Sequence, residues 1–464
     1  MIGRPHGGTT AGLAIMVSSV PMRRLLALCG LALFLSVSLI GLGAPPPAAD
    51  DWPQWRGPNG AGVGEGTYPD RWSPTEHIAW KTAIPGKGHS SPVVWGDRLF
   101  VTTAIEGEVI PGWKAPVHLG FDRKPGYVNA DSTGVGHMLT LKVYAVQAKT
   151  GKILWERTTF QGPPADDRHR SNTYASSTVA TDGKMVYAFF EWGGLHVYDV
   201  DGTLKWKVDV GNLQKAGLGP GTSPILYKNL VILVCDQEMG EGSFIAALER
   251  TTGKEVWRVA RTTRRSWATP IVVTAGGRDE LVAAGAEAVI AYDPATGKEL
   301  WTAPGTVSHP IPSIVTGRGL LFATAGSQAK VLLALRPGVQ EDATKRVSWK
   351  YNKGTAYVAS PIFYDDYLYL ISDAGIMTCL DPVTGALQYE GGRVPVPATI
   401  RSSPVAFGGK LLITSEDGDT FVIKAGPKFE VLATNSVAEP VWASLALARG
   451  MVFIRGESHL FAIQ

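Results

Sequence analysis

Cysteine is scarce in this chain, with three in 464 residues. Cys29 lies in the first 49 positions, which leaves Cys235 and Cys379 far apart in sequence. A disulfide framework is excluded, as is any Cys-x-x-Cys zinc knuckle, and two buried free thiols are expected. Charge of one sign is missing as well. The formal net charge is +3, and residues 1–49 supply Arg4, Arg23 and Arg24 with no acid, so the remainder is neutral. No basic face is implied, and nucleic-acid binding has no compositional support. No amphipathic helix is legible after residue 80. His-Glu-x-x-His, Gly-x-Ser-x-Gly and Walker sequences do not occur, so no metal site and no catalytic residue is signalled.

The one long apolar run is Leu25–Leu42, preceded by Arg23-Arg24 and followed by small residues at Gly43-Ala44 and Ala48-Ala49. That order is the order of a secretory signal. Met22 is a candidate start, and cleavage is expected near Ala44 or Ala49. The run is also long enough to span a bilayer as an uncleaved anchor, which would be the chain's only membrane contact. Residues 1–49 are therefore read as signal or anchor. Cys29 follows Leu28 and is no lipidation site. The expected location is the periplasm or cell envelope, and the expected state is a monomer.

What the chain has in abundance is one repeated pattern. An apolar strand end, Asp, a Thr-Gly turn and Trp run together in Ala291-Tyr292-Asp293-Pro294-Ala295-Thr296-Gly297-Lys298-Glu299-Leu300-Trp301. A Ser or Thr opens each copy, and the residues after it are Pro92, Thr178, Pro224, Pro270, Pro312, Pro361, Pro404 and Leu445. Six of the seven steps lie between 41 and 49 residues, the length of a four-stranded propeller blade. The first step is 86. Strand-like Leu99–Thr103 and Leu139–Val146 flank the excess, so one blade carries an insertion at about 105–138. Strands rich in Val, Ile, Leu, Phe and Tyr alternate with Gly, Pro, Asp and Thr turns; Gly and Pro number 54 and 31.

The turn has a mechanical reading. The Asp side chain accepts from N–H groups two residues on, and the Gly takes a positive φ that returns the chain as the fourth strand. Trp155, Trp206, Trp257, Trp301 and Trp349 then stand on outermost strands, placed to lie across the seams between blades. Tyr389 takes that place in blade 6, and blade 7 has only Val431-Leu432. The last copy, from Ser444, has three strands. The orphan Ile78-Ala79-Trp80-Lys81 supplies a fourth and would close the ring. The expected fold is an all-β, eight-bladed propeller over 78–464. An N-terminal arm covers 50–77, with a flexible segment at Gly60–Gly66.

The Ala-x-Asp-x-x-Thr-Gly-x-x-x-Trp pattern resembles the tryptophan-docking motif of the pyrroloquinoline-quinone-type propeller repeat. Blade 4 matches it fully, blade 1 departs at Gln147 and blade 3 at Glu249. That family includes quinoprotein dehydrogenases and the outer-membrane assembly lipoprotein of the BamB type. Trp52-Pro53-Gln54-Trp55-Arg56-Gly57-Pro58 looks like the opening of a bacterial exported subgroup. The dehydrogenase resemblance implies adjacent cysteines over the quinone, a Glu, Asn and Asp set for calcium, and a catalytic Asp. This chain has no Cys-Cys pair, and the channel entries hold Asn172 but no matching acid, so a pyrroloquinoline quinone cofactor is disfavoured. The BamB resemblance implies a non-catalytic envelope scaffold that meets protein partners through one loop face.

A ligand in such a ring would sit at the channel mouth, where the loops entering the first strands converge. The candidates there are His89, His169, Asn172, Tyr174, Arg265, Trp267, His309, Tyr357, Arg401 and Trp442. Trp267 and Trp442 would stack on a flat molecule, and Arg265 and Arg401 would pair with carboxylates. The competing reading has these groups satisfying one another at a polar mouth. The insertion emerges on the same face with Trp113, His118, Phe121, Asp122, Tyr127 and His137, a candidate lid. Ser91, Ser177, Ser223, Thr269, Ser313, Ser360, Ser403 and Ser444 read as a structural ring. Asp166-Asp167-Arg168-His169-Arg170 reads as a solvated loop, and Glu416-Asp417-Gly418-Asp419 as a hairpin turn.

Overall fold

A computed structural model describes residues 50–464 apart from 121, 308, 327–328 and 339–342. The signal or anchor segment 1–49 and Phe121 lie outside the described residues. Eight four-stranded antiparallel sheets follow one another along the chain as blades of a propeller. Blade 1 is built from Val93–Trp95, Arg98–Val109, His137–Gln147 and Ile153–Gly162. The insertion leaves it between the second and third strands and adds a small hairpin of His118–Leu119 and Pro125–Tyr127. Blade 8 takes Ala446–Ala448, Met451–Arg455 and His459–Ile463 from the C-terminal end and Ile78–Ala83 from the N-terminal end. Lys81 faces Phe461 and Thr82 faces Leu460 in that closing pair.

The repeated turn works at the seams. The indole N–H of Trp155, Trp206, Trp257 and Trp349 donates to a carbonyl in the next blade's turn, those of Val200, Arg250, Pro294 and Pro382, at 2.9–3.1 Å. Its ring lies on the Gly of that turn. A Cβ built on Gly253 would stand 2.5 Å from the Trp206 ring, and Gly253 has φ +74°. Glycine is thus required twice over, by backbone hand and by the indole above it. Trp80 makes the same contact with Gly151 and donates to Ala148 O at 2.9 Å, so the seam that joins the two ends of the chain is sealed like the others. Burying each indole contributes on the order of 2–3 kcal/mol.

Three seams depart from the pattern. Between blades 6 and 7 Tyr389 stands edge-on to Phe429 at 5.9 Å. Blade 5 has no Thr-Gly turn; Trp301 instead donates to the buried carboxylate of Glu280 at 2.8 Å, with the Arg346 guanidinium 4.2 Å above its ring. Between blades 7 and 8 the arm substitutes: Trp72 N donates to Asn435 Oδ1, and Tyr68 stands edge-on to Phe407 at 5.2 Å.

The small hydroxyls form a chain around the axis. The backbone N–H of Ser91, Thr178, Ser223, Ser313, Ser360 and Ser403 each donates to the hydroxyl of the next blade, at 2.8–3.1 Å. In blade 2 the ring position belongs to Thr178 and not to Ser177. Ala180 pairs with Tyr187 two residues on, as Ile225 pairs with Ile232 after Ser223.

The arm corrects a second expectation. Residues 50–68 are not loose; they cross the ring on the face opposite the mouth. Trp52 bridges Val94 of blade 1, Thr181 N of blade 2 donates to Pro53 O, and Val63 bridges Ala406 of blade 7. Arg56, fully buried, donates to Pro361 O of blade 6 at 2.8 Å. Glycines fit there because backbone passes against backbone, as Gly64 N does in donating to Ala406 O at 2.9 Å.

Candidate functional site

The arm turns the channel into a cup. Trp55 donates its indole N–H to Ser313 Oγ at 3.0 Å and forms the floor. Above it lies a cavity of about 280 Å³ walled by the ring hydroxyls and by His89, His169, Asn172, Trp267, Tyr357, Arg401 and Trp442. Those seven of the ten sequence candidates meet there. Tyr174, Arg265 and His309 do not line it. Tyr174 is buried and donates its hydroxyl to Asp166 O, and Arg265 sits behind the wall with Nη2 3.1 Å from His309 Nε2.

The two tryptophans do stack, but on histidines of the chain. Trp442 lies 5.1 Å from His89 at 5° between planes, and Trp267 lies 6.0 Å from His309 at 25°. Each Trp enters one blade and each His the next. Blades 4 and 8 are opposite in a ring of eight, so the two stacks face each other across the cup. Burial, with Arg168 and Arg455 nearby, pushes His89 down to about 3, and burial with Arg265 pushes His309 down to about 4. Both rings are neutral at physiological pH.

The polar candidates are held by neighbours. Arg401 donates to Glu416 Oε1 at 2.8 Å and lies 3.5 Å from Asp373. Asn172 spends its amide N–H groups on Leu218 O and Pro220 O. Among the described residues no Asp, Glu or Cys lines the cavity. Cys235 and Cys379 are buried in separate blades. The calcium-and-quinone set that the dehydrogenase resemblance implies needs carboxylates, and those beside this wall, Asp373 and Glu416, are engaged by Arg401.

The Asp166–Arg170 segment is the largest correction. Asp166 and Asp167 are buried, not solvated, and they fasten the insertion. His118, 3% exposed, lies 2.8 Å from Asp166 Oδ1 and 2.7 Å from Glu238 Oε2. The approach is oblique, so these contacts act as charge pairs more than as linear hydrogen bonds. Burial would lower His118, yet the two carboxylates win and raise it to about 9. Leu119 N donates to Glu238 Oε1, Gly134 N to Asp167 Oδ2, and Arg168 grips Glu106 with two bonds of 2.6 and 2.8 Å. The insertion is clamped across the entries of blades 2 and 3. Behind Trp267 two further buried pairs, Lys215–Glu191 and Arg261–Asp236, brace the wall at 3.1 and 2.7 Å.

Five carboxylates outside the candidate set share an address. Glu191, Asp236, Glu238, Asp373 and Glu416 all stand just beyond the second strand of their blades. Aligning blades on the hydroxyl ring places them at the mouth; reading only the first-strand entries passes over them.

The fold and its docking seams define a pyrroloquinoline-quinone-like β-propeller. A family model described as "Outer membrane protein assembly factor BamB" matches residues 111–241 and 241–463, about three quarters of the chain. The chain belongs to that family. Solved structures of similar fold include BamB from Moraxella catarrhalis, 16% identical over 78% of this chain and 98% of that one, with a TM-score of 0.51. Quinohemoprotein alcohol dehydrogenase from Comamonas testosteroni is 12% identical over 89% and 80%, with a TM-score of 0.58. The computationally designed Ika8 protein gives 12%, 82%, 99% and 0.53. A comparison with curated protein sequences finds no match. Among the described residues no helix is long and apolar enough to cross a membrane.

Proposed function

We propose that this chain is an exported, non-catalytic propeller that holds other proteins at its mouth face. One observation carries the reading. Val109, Val117, Val128, Val135 and Met138 are exposed apolar side chains of the insertion and its stems, and Val128 is 78% exposed. Exposed apolar groups gathered on one element mark a contact surface. The clamp on His118 and Asp167 holds that element in one place, which lowers the ordering cost of binding. The family description, an assembly factor, agrees with a binding role. The order of residues 1–49 supports export.

A photo-crosslinking residue at Val128, in the full chain expressed in a cell envelope, is expected to give discrete protein adducts. The same residue at Lys228, in a turn of the opposite face, is expected to give none. Equal labelling at both sites, or none at Val128, overturns the reading. The alternative, a quinone- or small-ligand-binding redox protein, is favoured by the two facing Trp–His stacks. Adding pyrroloquinoline quinone and calcium to the purified protein separates the two. Scaffolding predicts unchanged absorbance and melting temperature, and a shift in either favours the ligand reading.

A further inference from the structure

A second cavity, of about 60 Å³, lies behind the His89–Trp442 stack between blades 8 and 1. Its wall includes Lys87, Arg168, Arg170, Arg455 and Glu457. Three of the four cations are spoken for. Lys87 pairs with Glu457 at 2.7 Å, Arg168 with Glu106, and Arg170 donates to Ala130 O at 2.8 Å. Arg455 is different. It is 1% exposed, and its Nε, Nη1 and Nη2 have no hydrogen-bond partner among the described residues. Burial lowers it to about 10, which leaves it charged at neutral pH. Glu439 and Tyr144 act on it only through space.

The repeat shows how exceptional that placement is. Counting from the paired residue of each first strand, the positions equivalent to Arg455 are Thr102, Phe189, Val234, Ala284, Thr324, Ile371 and Thr414. Seven blades put a neutral side chain there. One puts a guanidinium, with five donors and nothing to receive them. A buried charge without a partner is destabilising, and an anion in the adjoining cavity removes that cost.

We propose that this cavity is a carboxylate-binding site in which Arg455 is the bidentate donor. The planar guanidinium matches a carboxylate oxygen for oxygen. Lys87 and Glu457 stand at the rim, with side chains 60% and 38% exposed. The entering carboxylate parts that ion pair to reach the guanidinium. It comes from a free small acid or from an acidic residue of a polypeptide at the mouth. This site does not depend on the protein-holding role proposed above.

The test uses the purified full chain at constant ionic strength, with sodium acetate replacing an inert salt, read by calorimetric titration and melting temperature. Acetate is expected to bind and to raise the melting temperature in proportion to ln(1 + [L]/Kd). Arg455→Met, which keeps the volume and removes the charge, is expected to lose the acetate response. It should melt no lower than the acetate-free parent. Glu457→Gln, which frees the rim, is expected to tighten binding several-fold. An acetylated peptide with one Glu, compared with its Gln twin, distinguishes the sources. Binding tighter than acetate identifies a polypeptide, and binding equal to acetate identifies a small acid. The same acetate response in Arg455→Met overturns the proposal. So does sulfate binding tighter than acetate, or an Arg455→Met protein that melts well below the acetate-free parent.

Discussion

The seams between blades and the mouth of the ring are held by different physics. At a seam, a Trp of one blade lies on the turn glycine of the next and donates to its carbonyl, so the contact is apolar, local and repeated. At the mouth, apart from the two Trp–His stacks, the entries differ from blade to blade. Blades 2 to 4 are braced by buried charge pairs and by the clamped insertion, whereas Arg401 on the far side pairs with half-buried Glu416 and Asp373. A repeat can fix a ring only through contacts that every blade makes. The mouth is where each blade is free to differ, so it is where function accumulates.

The largest expected effect breaks a seam. Gly253→Ala forces a Cβ to within 2.5 Å of the Trp206 ring at a φ of +74°. Strain at positive φ costs about 1–2 kcal/mol, and overpacking adds about 1–3. A loss of about 3–4 kcal/mol is expected in urea unfolding. Gly409→Ala is the control, because Gly409 has φ +73° and nothing within 4 Å of its Cβ position. It should lose only the backbone share, about 1–2 kcal/mol. Equal losses in the two variants would show that the indole does not press on the turn.

Next comes the clamp. His118→Gln removes the cation between Asp166 and Glu238 and leaves two buried carboxylates facing each other. About 3 kcal/mol is expected at neutral pH, as for breaking a buried pair. The pH dependence carries the sign. His118 is raised from 6.5 to about 9, so its contribution is complete below 6.5 and is lost as pH rises through about 9. His118 holds Glu238 below its ordinary 4.5 against the pull of burial, so that share is present above 4.5 and fades as pH falls. Hydrogen exchange of residues 117–134 should therefore be slowest between about pH 4.5 and 6.5, after correction for intrinsic rates. A flat profile would mean that the insertion is held by something other than this charge triad.

This division also explains what was legible in the sequence. The blade count, the insertion and the closing strand at Trp80 follow from a period, and a period survives in one dimension. Thr178 was displaced by one residue because both Ser177 and Thr178 carry hydroxyls, and only the pairing of Ala180 with Tyr187 tells them apart. The buried role of Asp166 and Asp167 was hidden because five consecutive charged residues look solvated. Their partners, His118 and the Gly134 and Lys215 amides, lie tens of residues away. The pinned arm was hidden because glycines and polar residues look the same in a loose segment and in one threaded across a ring. Seven of the ten candidate mouth residues line the cup, and Tyr174, Arg265 and His309 do not. The partners of Arg401, Glu416 and Asp373, stand in hairpins beyond second strands, which a first-strand pattern does not reach.

The smallest effect sharpens the contrast within the mouth itself. Arg401 meets Glu416 at 2.8 Å and Asp373 at 3.5 Å, but its side chain is 29% exposed and water reaches both partners. Arg401→Gln is expected to cost less than about 1 kcal/mol. Asp373 keeps the backbone N–H of Tyr357 at 3.0 Å, so it is not left bare. The difference from the parent should shrink as salt is raised toward 1 M, where the screening length is about 3 Å. The His118→Gln loss, made in a buried site, should persist in the same salt series. If the Arg401 variant lost as much as the His118 variant and kept that loss in salt, the two sides of the mouth would be equally rigid. The insertion would then be no better held than the open rim.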